Sequence, residues 1–273
     1  MKNYFGVNKM KAIILAAGEG RRLRPLTDNM PKTMVKLFNM SLLERQIEIF
    51  QKCGINDIIV VGGYKNEKID IKNIKQFKNE NYDSTNMIET LFCADDELFG
   101  TTIISYGDII FEESVLQSLI DSNEDFSVVV DKNWEKFWNI RFENPLEDAE
   151  SLRLDENDNI LELGQNVKNI NEIQGQYIGL MKFQNEGIEV IKEFYRKTKE
   201  FSKNSKNPLN KNLPFEKSYM TDFIQGLINE GHKIKAILIK SGWLELDTIN
   251  DFEIYNKLYR ENNLSEFIKL EVK

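Results

Sequence analysis

A continuous apolar run near the start of the chain is the feature that most constrains the fold. Residues Lys11–Ala17 carry no polar side chain after the lysine, and Gly18 and Gly20 follow at once. A strand that is apolar at every position is buried on both faces, as in a parallel sheet that is covered by helices. We therefore predict that this run is the first and central strand of such a sheet and ends in a glycine-containing loop.

The segments that follow alternate between helix and strand patterns. Ser41 and Glu44 form a Ser-x-x-Glu capping box before apolar residues at helical spacing, which predicts a helix over Ser41–Cys53. A second buried strand is predicted at Asp57–Gly63. Because parallel strands are joined by right-handed crossovers, this order predicts an α/β fold with a doubly wound, mostly parallel sheet and a Rossmann-like core. The other predicted elements are helices at Thr85–Leu98, Glu113–Ser122, Gly187–Lys197, Tyr219–Glu230 and Thr248–Tyr259, and strands at Thr101–Tyr106, Asp125–Asp131, Gln176–Phe183 and Ile234–Lys240.

A change of pattern in the middle of the chain predicts an insertion. Ser151–Leu154 and Ile160–Leu163 are short runs separated by an Asp- and Asn-rich turn, which is typical of a small β-hairpin. We expect residues 133–164 to lie over the sheet as a lid, and the Lys- and Asn-rich residues 201–217 to form a long mobile loop. A chain of 273 residues suits one main domain. The predicted division is an N-terminal extension at 1–9, a single domain at 10–262 and a C-terminal tail at 263–273.

Charge and cysteine content argue against several classes of protein. The net charge is −8, whereas nucleic-acid binding requires a basic face. No apolar run approaches the roughly 20 residues of a membrane helix, and residues 1–9 lack the apolar stretch of a signal peptide. Cys53 and Cys93 form no Cys-x-x-Cys pair, so neither a disulfide framework nor a zinc site is expected. We predict a cytoplasmic protein that binds neither nucleic acid nor membrane; its oligomeric state stays open.

The loop after the first strand has the chemistry of a phosphate-binding site. Glycines at 18 and 20 let backbone amides approach phosphate oxygens, and Arg22 and Lys32 are expected to neutralise a triphosphate. A dinucleotide-binding loop needs a third glycine where Leu23 stands, and a P-loop needs Gly-Lys-Ser/Thr, so both motifs are absent. The alternative for Arg22 and Lys32 is a role in surface salt bridges alone.

This loop resembles the signature of the sugar-1-phosphate and phosphocholine nucleotidyltransferases. Arg21 stands where that family has Thr or Ser, so a hydroxyl contact to phosphate is lost or replaced by a cation. The resemblance extends over nearly the whole chain after Met10. It implies an enzyme that joins the α-phosphate of a nucleoside triphosphate to a small phosphorylated acceptor and releases pyrophosphate, in capsule or surface polysaccharide biosynthesis. The residues that match the signature at the same spacing are Gly18, Gly20, Arg22, Leu23, Pro25, Thr27, Pro31 and Lys32.

Two aspartates are expected to bind Mg²⁺, which polarises the α-phosphate in such a transfer. Asp108 follows a predicted strand, at the carboxyl edge where open α/β sheets bind ligands. Period-two alternation places Glu245 and Asp247 on one face with Trp243. The resemblance implies that Asp108 and Asp247 are the metal pair. For Asp247 the alternative is a structural role at the start of the helix capped by Thr248.

The resemblance also implies a nucleotide site. Family members seat the base against the backbone after the second strand, and Asn86 is implied to reach a phosphate of the nucleotide or the acceptor. For Asn86 an ordinary contact at a helix start is the alternative. The segment Tyr82–Thr90 looks more like the phosphocholine and phosphoglutamine cytidylyltransferases than the sugar enzymes, so CTP is expected rather than UTP or dTTP. The residues expected to contact the nucleotide are Ala16, Ala17, Gly18, Gly20, Gly63, Tyr64, Thr85, Asn86 and Tyr106.

The acceptor site is expected around three tryptophans and their polar neighbours. Trp134, Trp138 and Trp243 suit a cage for a quaternary ammonium such as that of phosphocholine, with packing as the alternative. Arg141 and Lys132 suit instead the carboxylate of a phosphorylated glutamine. The likeness over residues 141–150 favours a phosphoglutamine-like acceptor; phosphocholine and a sugar 1-phosphate are the alternatives. The residues expected at the acceptor are Trp134, Arg141, Gln176 and Trp243.

Two other classes of function stay as hypotheses. A regulatory nucleotide-binding protein of the same fold would be expected to lose the loop lysine or a metal carboxylate, and this chain keeps them. A nicotinamide-dependent oxidoreductase is the other enzyme class. His232, the single histidine, stands at a predicted helix end, and an ionised acceptor phosphate needs no general base. Catalysis is therefore expected from Arg22 and Lys32 rather than from histidine.

Overall fold

The computed structural model describes residues 10–270. The predicted N-terminal extension at 1–9 lies outside the described residues. Within them, no helix is long and apolar enough to cross a membrane. The strands are β1 Met10–Ala16, β2 Lys36–Leu37, β3 Met40–Ser41, β4 Asp57–Gly62, β5 Lys75–Lys78, β6 Thr101–Tyr106, β7 Ile109–Phe111, β8 Phe126–Asp131, β9 Glu150–Leu154, β10 Ile160–Asn166, β11 Gln176–Phe183, β12 Lys235–Ile239 and β13 Trp243–Glu245. The α-helices are α1 Leu42–Lys52, α2 Met87–Phe92, α3 Glu113–Ile120, α4 Trp134–Arg141, α5 Glu186–Ser202, α6 Met220–Asn229 and α7 Ile249–Arg260.

The central sheet confirms the predicted fold class. Its seven strands lie in the order β12-β8-β11-β6-β1-β4-β5. Strand β11 is antiparallel to β6 and β8, and every other neighbouring pair is parallel. The sheet is therefore a mostly parallel α/β sheet, in which β1 lies between β4 and β6.

Strand β1 is buried on both faces, as its apolar run predicts. Ala12, Ile14 and Ala16 pack into the apolar cluster on one side of the sheet, and Ile13 and Leu15 pack into the cluster on the other. Each of these side chains is at most 8% exposed. Because both faces of the strand are covered, we expect the functional side chains to lie in the loops at the carboxyl edge of the sheet.

The predicted insertion contains the hairpin and also a helix. Strands β9 and β10 pair in antiparallel register, as predicted. Helix α4, which is not among the predicted elements, occupies the start of the segment 133–164. Its apolar residues Trp134, Phe137 and Trp138 recur at helical spacing and are all buried. This part of the insertion thus packs on the domain through an amphipathic helix.

Two other segments are held more firmly to the domain than their composition suggests. In the Lys-rich segment 201–217, Asn207 is buried, and its amide donates hydrogen bonds to Leu213 O at 3.2 Å and to Ser218 Oγ at 2.7 Å. After residue 262, Phe267 and Ile268 are buried in the core. The described part of the predicted C-terminal tail therefore packs on the domain.

Candidate active site

The loop after β1 is shaped by its signature residues. Gly20 has a φ of +63°, and a Cβ atom there would lie 2.9 Å from Lys32 Cβ. The Thr27 hydroxyl donates a hydrogen bond to Gly20 O at 2.8 Å and closes the loop. Glycine is thus required at 20 both by the left-handed backbone and by the passage of the Lys32 side chain. Arg21, which departs from the signature, donates to Glu19 at 2.6 Å and is largely exposed.

The ammonium of Lys32 bridges the two predicted metal carboxylates. Its Nζ lies 2.8 Å from Asp108 Oδ2 and 2.7 Å from Asp247 Oδ1. Arg22 contacts the other oxygen of Asp247 and is itself exposed. The predicted catalytic cations and metal aspartates are therefore brought together, although 215 residues separate Lys32 from Asp247.

Burial and charge oppose each other in this cluster. Burial lowers the pKa of Lys32, but Asp108 and Asp247 outweigh it, so the pKa is raised and the amine stays charged. Burial raises the pKa of Asp247, but Lys32 and then Arg22 outweigh it, so the pKa is lowered and the carboxylate stays ionised. The ionised carboxylates can bind a divalent metal, and the charged lysine and arginine can bind an anionic triphosphate.

A small two-stranded sheet brings the two aspartates together. Asp108 immediately precedes β7, and Asp247 lies two residues after β13. The two strands are antiparallel, and Leu246 N donates to Asp108 O at 2.9 Å. The register of β7 against β13 thus fixes the separation of the carboxylates.

The carboxylates fit a Mg²⁺ ion that takes its other ligands from substrate and water. Asp108 Oδ1 is buried and has no hydrogen-bond partner, so one carboxylate oxygen is free to accept a cation. Among residues 10–270, no group of three or more His, Cys, Asp or Glu side chains forms a closed metal cage. Mg²⁺ commonly uses one or two carboxylates together with phosphate oxygens, which matches this donor set.

Most of the predicted nucleotide residues line one cavity next to Asp108. The cavity has a volume of about 130 Å³, and Tyr82 and Lys32 also face it. A larger cavity of about 550 Å³ beside α1 contains none of the predicted site residues. The predicted residues that line the smaller cavity are Ala16, Ala17, Gly18, Thr85, Asn86 and Tyr106.

Gly63 and Tyr64 pack against the backbone carbonyl of Ala17, which lines the cavity, and Asn86 lines the cavity itself. Tyr64 N donates to Ala17 O at 3.1 Å, and a Cβ atom on Gly63 would lie 2.8 Å from the same carbonyl. Asn86 lines the cavity and also caps α2, because its Oδ1 accepts from Met87 N at 2.9 Å. For Asn86 the two alternatives are therefore not exclusive.

The three tryptophans lie in the core rather than on an open cleft. Trp134, Trp138 and Trp243 are each at most 4% exposed. The Trp138 ring lies 5.9 Å from that of Trp134 and 6.2 Å from that of Trp243. The guanidinium of Arg141 is 5.5 Å from the Trp138 ring and 5.1 Å from the Phe137 ring. The aromatic cluster thus encloses a cation of the protein itself, and packing describes these tryptophans better than an acceptor cage.

Arg141 and Gln176 are also buried, so the predicted acceptor contacts do not line open surface. Arg141 forms ion pairs with Glu245 at 2.9 Å and Asp251 at 3.0 Å. Gln176 Oε1 accepts a hydrogen bond from Glu150 N at 3.2 Å, and Gln176 Nε2 donates one to Glu150 O at 2.6 Å. The acceptor role of Arg141 and Gln176 stays a prediction; sequence patterns do not reveal that these polar side chains find internal partners.

Two further acidic residues support the site. Glu245 shares the strand face with Asp247, and burial raises its pKa to about 7, opposed by Arg141 and reinforced by Asp108. Asp251 accepts from the backbone N–H of Asp247 at 3.0 Å. The alternation over 243–247 already put Glu245 on this face. Asp251 was visible as the third residue of a capping box, but its contact with Arg141 had no sequence signal.

The fold is shared with known nucleotidyltransferases. Residues 12–160 match the MobA-like NTP transferase domain. A CTP:phosphoglutamine cytidylyltransferase of Campylobacter jejuni is 42% identical over 258 residues, which cover 90% of this chain and 98% of that protein. A choline-phosphate cytidylyltransferase of Streptococcus pneumoniae is 38% identical over 117 residues, 41% of this chain and 51% of that enzyme. The solved inositol-1-phosphate CTP transferase of T. maritima shares the fold with a TM-score of 0.69 at 19% identity, over 96% of this chain and 98% of that one.

These likenesses agree with the geometry of the site. The domain match spans more than half of the chain and includes the loop, Lys32 and Asp108. The match to the phosphoglutamine enzyme covers 90% of the chain, so it reaches well into the second half. The chain belongs to the MobA-like NTP transferase family.

Proposed function

We propose that this protein is a Mg²⁺-dependent cytidylyltransferase that transfers CMP from CTP to a small phosphorylated acceptor and releases pyrophosphate. The observation that carries the proposal is the contact of Lys32 with both Asp108 and Asp247, next to the cavity that the glycine-containing loop lines. One cationic and two anionic groups at the carboxyl edge of a parallel sheet suit a metal-bound triphosphate.

The proposed chemistry is an in-line displacement at the α-phosphorus. An oxygen of the acceptor phosphate forms the new bond, and the bond from the α-phosphorus to the bridging oxygen of the β-phosphate breaks, so pyrophosphate leaves with that electron pair. Lys32 and Arg22 neutralise the charge that develops on the phosphates, and Asp108 and Asp247 hold Mg²⁺. When bound, Mg²⁺ polarises the α-phosphate. The acceptor phosphate is already ionised near neutral pH, so no side chain has to remove a proton.

CTP is the proposed donor because a CTP:phosphoglutamine cytidylyltransferase is 42% identical to this chain over 90% of its length. The C. jejuni protein uses CTP by name and is matched along 98% of its length. The loop carbonyl of Ala17, fixed by Gly63 and Tyr64, supports base recognition by backbone groups beside the cavity.

A phosphoglutamine-like acceptor is proposed over phosphocholine. A quaternary ammonium has no N–H groups and is best held by aromatic faces, but Arg141 already occupies the aromatic cluster. The choline-phosphate enzyme also matches only 41% of this chain, against 90% for the phosphoglutamine enzyme. An acceptor with a primary ammonium and a carboxylate suits polar rather than aromatic recognition.

Pyrophosphate release by the purified protein tests the proposal. Each of the four nucleoside triphosphates is supplied with Mg²⁺ and with phosphoglutamine, phosphocholine or glucose 1-phosphate. We expect release with CTP and phosphoglutamine that is lost in Asp108→Asn and Lys32→Ala. Lys136→Ala serves as the matched control, because Lys136 forms its ion pair with the exposed Glu266, at 2.7 Å, and is not one of the residues of the proposed site. It should keep full activity.

The other outcomes separate the alternatives. Release with phosphocholine or glucose 1-phosphate instead would keep the reaction class and change the acceptor. CTP binding by calorimetry with no turnover on any acceptor would favour the regulatory protein. If the protein neither binds any of the triphosphates nor releases pyrophosphate from them, the nucleotidyltransferase proposal is rejected.

A further inference from the structure

We infer that Arg141 is a positioning residue for the metal-binding carboxylate of Asp247, which it holds in place from behind the site through Glu245 and Asp251. The inference rests on the proposed function, because it assigns Asp247 to the metal. It differs from the sequence-based expectation, in which Arg141 contacts the acceptor.

The guanidinium touches both sides of the segment that carries Asp247. Arg141 Nη2 lies 2.9 Å from Glu245 Oε2, and Arg141 Nε lies 3.0 Å from Asp251 Oδ1. The second oxygen of Asp251 accepts from the backbone N–H of Asp247 at 3.0 Å and of Thr248 at 2.8 Å. One planar side chain thus fixes a carboxylate two residues before Asp247 and another that holds the amide of Asp247 itself.

The surroundings make this contact rigid. The side chain of Arg141 is 1% exposed and that of Asp251 is 2% exposed. The rings of Phe137, Trp138 and Phe142 lie 5.1 to 5.5 Å from the guanidinium. Arginine presents several donors in a fixed plane, so it can bridge two carboxylates that a lysine ammonium contacts only as a point charge.

Stability alone is a poor explanation for Arg141. Its Nη1 is buried without a hydrogen-bond partner, and an unsatisfied buried donor is destabilising. A buried ion pair is also often no more stable than well-packed apolar residues of similar size. The core therefore contains a destabilising cation at a position where it contacts Glu245 and Asp251, the residues next to Asp247.

Arg141 also supplies a counter-charge that does not face the substrate. Three acidic residues, Asp108, Glu245 and Asp247, lie together where β7 pairs with β13. Lys32 contacts two of them from the cavity side, where the proposed triphosphate binds. Arg141 contacts the cluster from within the core, so its charge stays in place when Lys32 engages phosphate.

The test compares Arg141→Lys with Lys11→Met. Lys11 is also a fully buried cation, pairs with Glu97 at 3.0 Å and stacks on the Phe99 ring, but lies at the other end of β1. Binding of Mn²⁺ is followed by electron paramagnetic resonance in the presence of CTP without acceptor, so that no turnover occurs. We expect Arg141→Lys to weaken Mn²⁺ binding about 10- to 100-fold, the range for residues that orient metal ligands. Lys11→Met should lower the melting temperature and leave Mn²⁺ binding unchanged.

A second variant and a double variant keep the inference falsifiable. If Arg141→Lys does not fold, Asp251→Asn is measured in its place, because it breaks the same link to Asp247. Arg141→Lys combined with Asp247→Asn should bind Mn²⁺ no more weakly than Asp247→Asn alone, since Arg141 acts through Asp247. Unchanged Mn²⁺ binding in the folded Arg141 or Asp251 variant, additive losses in the double variant, or an equal loss in Lys11→Met would overturn the inference.

The failure of the inference is distinguishable from that of the proposed function. If the wild-type protein releases pyrophosphate and Arg141→Lys binds Mn²⁺ normally, only the role of Arg141 is rejected. If the wild-type protein shows neither release nor Mn²⁺ binding with CTP, the proposed function is rejected and Arg141 has no metal site to position.

Discussion

Lys32 is proposed to stabilise the triphosphate, but its contacts with Asp108 and Asp247 oppose metal binding. Its ammonium contacts Asp108 and Asp247 at 2.8 and 2.7 Å, where it neutralises them. The proposed metal would bind the same two carboxylates, so the ammonium and the metal compete for their negative charge until a triphosphate draws the lysine away.

The competition predicts an unusual result for Lys32→Ala. The variant should lose turnover, because the charge that stabilises the α-phosphate is gone, yet in the absence of CTP it should bind Mn²⁺ at least as tightly as the wild type. Asp108→Asn should lose both turnover and Mn²⁺ binding. Calorimetric titration with Mn²⁺ checks this, with Lys136→Ala as control. Weaker binding in Lys32→Ala would show that the lysine does not compete with the metal.

Gly20 allows a second prediction at the residue scale, because Gly54 offers a matched control. Both glycines have positive φ, +63° and +81°, but a Cβ atom on Gly20 meets Lys32 at 2.9 Å whereas one on Gly54 meets nothing within 4 Å. Alanine in the left-handed region costs about 1 kcal/mol in each variant. We expect both alanine variants to lose similar stability in urea, and only Gly20→Ala to lose activity. Equal activity would mean that the loop tolerates displacement of Lys32.

Individual elements show what sequence patterns reveal and what they leave out. Strands β1 and β4 were predictable because their interiors are continuous apolar runs, and α1 because its capping box is formed by Ser41 and Glu44 as predicted. The edge strand β5 was missed, since its Lys-Gln-Phe-Lys sequence is mostly exposed and has no apolar pattern. Asp108 and Asp247 are predicted as a metal pair from a strand end, from strand alternation and from the family resemblance, and the structure brings them together. The burial of Arg141 against Glu245 and Asp251 is not predictable from sequence, because it depends on tertiary contacts.

Helix α1 provides a prediction at the element scale. Gln46 is 1% exposed, donates to Tyr106 O at 2.8 Å and to Ile109 O at 2.7 Å, and accepts from Ser105 Oγ at 2.8 Å. These bonds attach α1 to both sides of the turn that carries Asp108. Gln46→Met removes these three buried hydrogen bonds, so the free energy of unfolding should fall by about 1–3 kcal/mol, with reduced kcat.

Urea unfolding and steady-state kinetics measure the two effects of Gln46→Met. The exposed Gln51→Met, on the same helix, controls for the chemistry of the substitution. A stability loss with unchanged kcat would mean that the turn holds Asp108 in place without α1.

At the scale of the whole molecule, the chain carries a net charge of −8 yet is proposed to bind a triphosphate. Long-range charge therefore opposes binding, and the affinity must come from the local cations and metal at the carboxyl edge. Because that edge joins β6, the turn before β7 and the segment after β13, a ligand bound there links distant parts of the chain in the folded state only.

Because a ligand that binds only the folded state raises the melting temperature, thermal unfolding of the intact protein measures binding at this edge. A ligand at 100 times its Kd stabilises the folded state by about 2.7 kcal/mol, which raises the melting temperature of a domain of this size by roughly 5–10 °C. We expect such a rise with CTP and Mg²⁺ together, little rise with ATP and Mg²⁺, and loss of the Mg²⁺-dependent part in Asp108→Asn. Equal rises with all four triphosphates would show that the cavity binds the phosphates without selecting the base. A rise with CTP that is the same with and without Mg²⁺ would remove the metal from the binding step and leave Lys32 and Arg22 as the groups that hold the triphosphate.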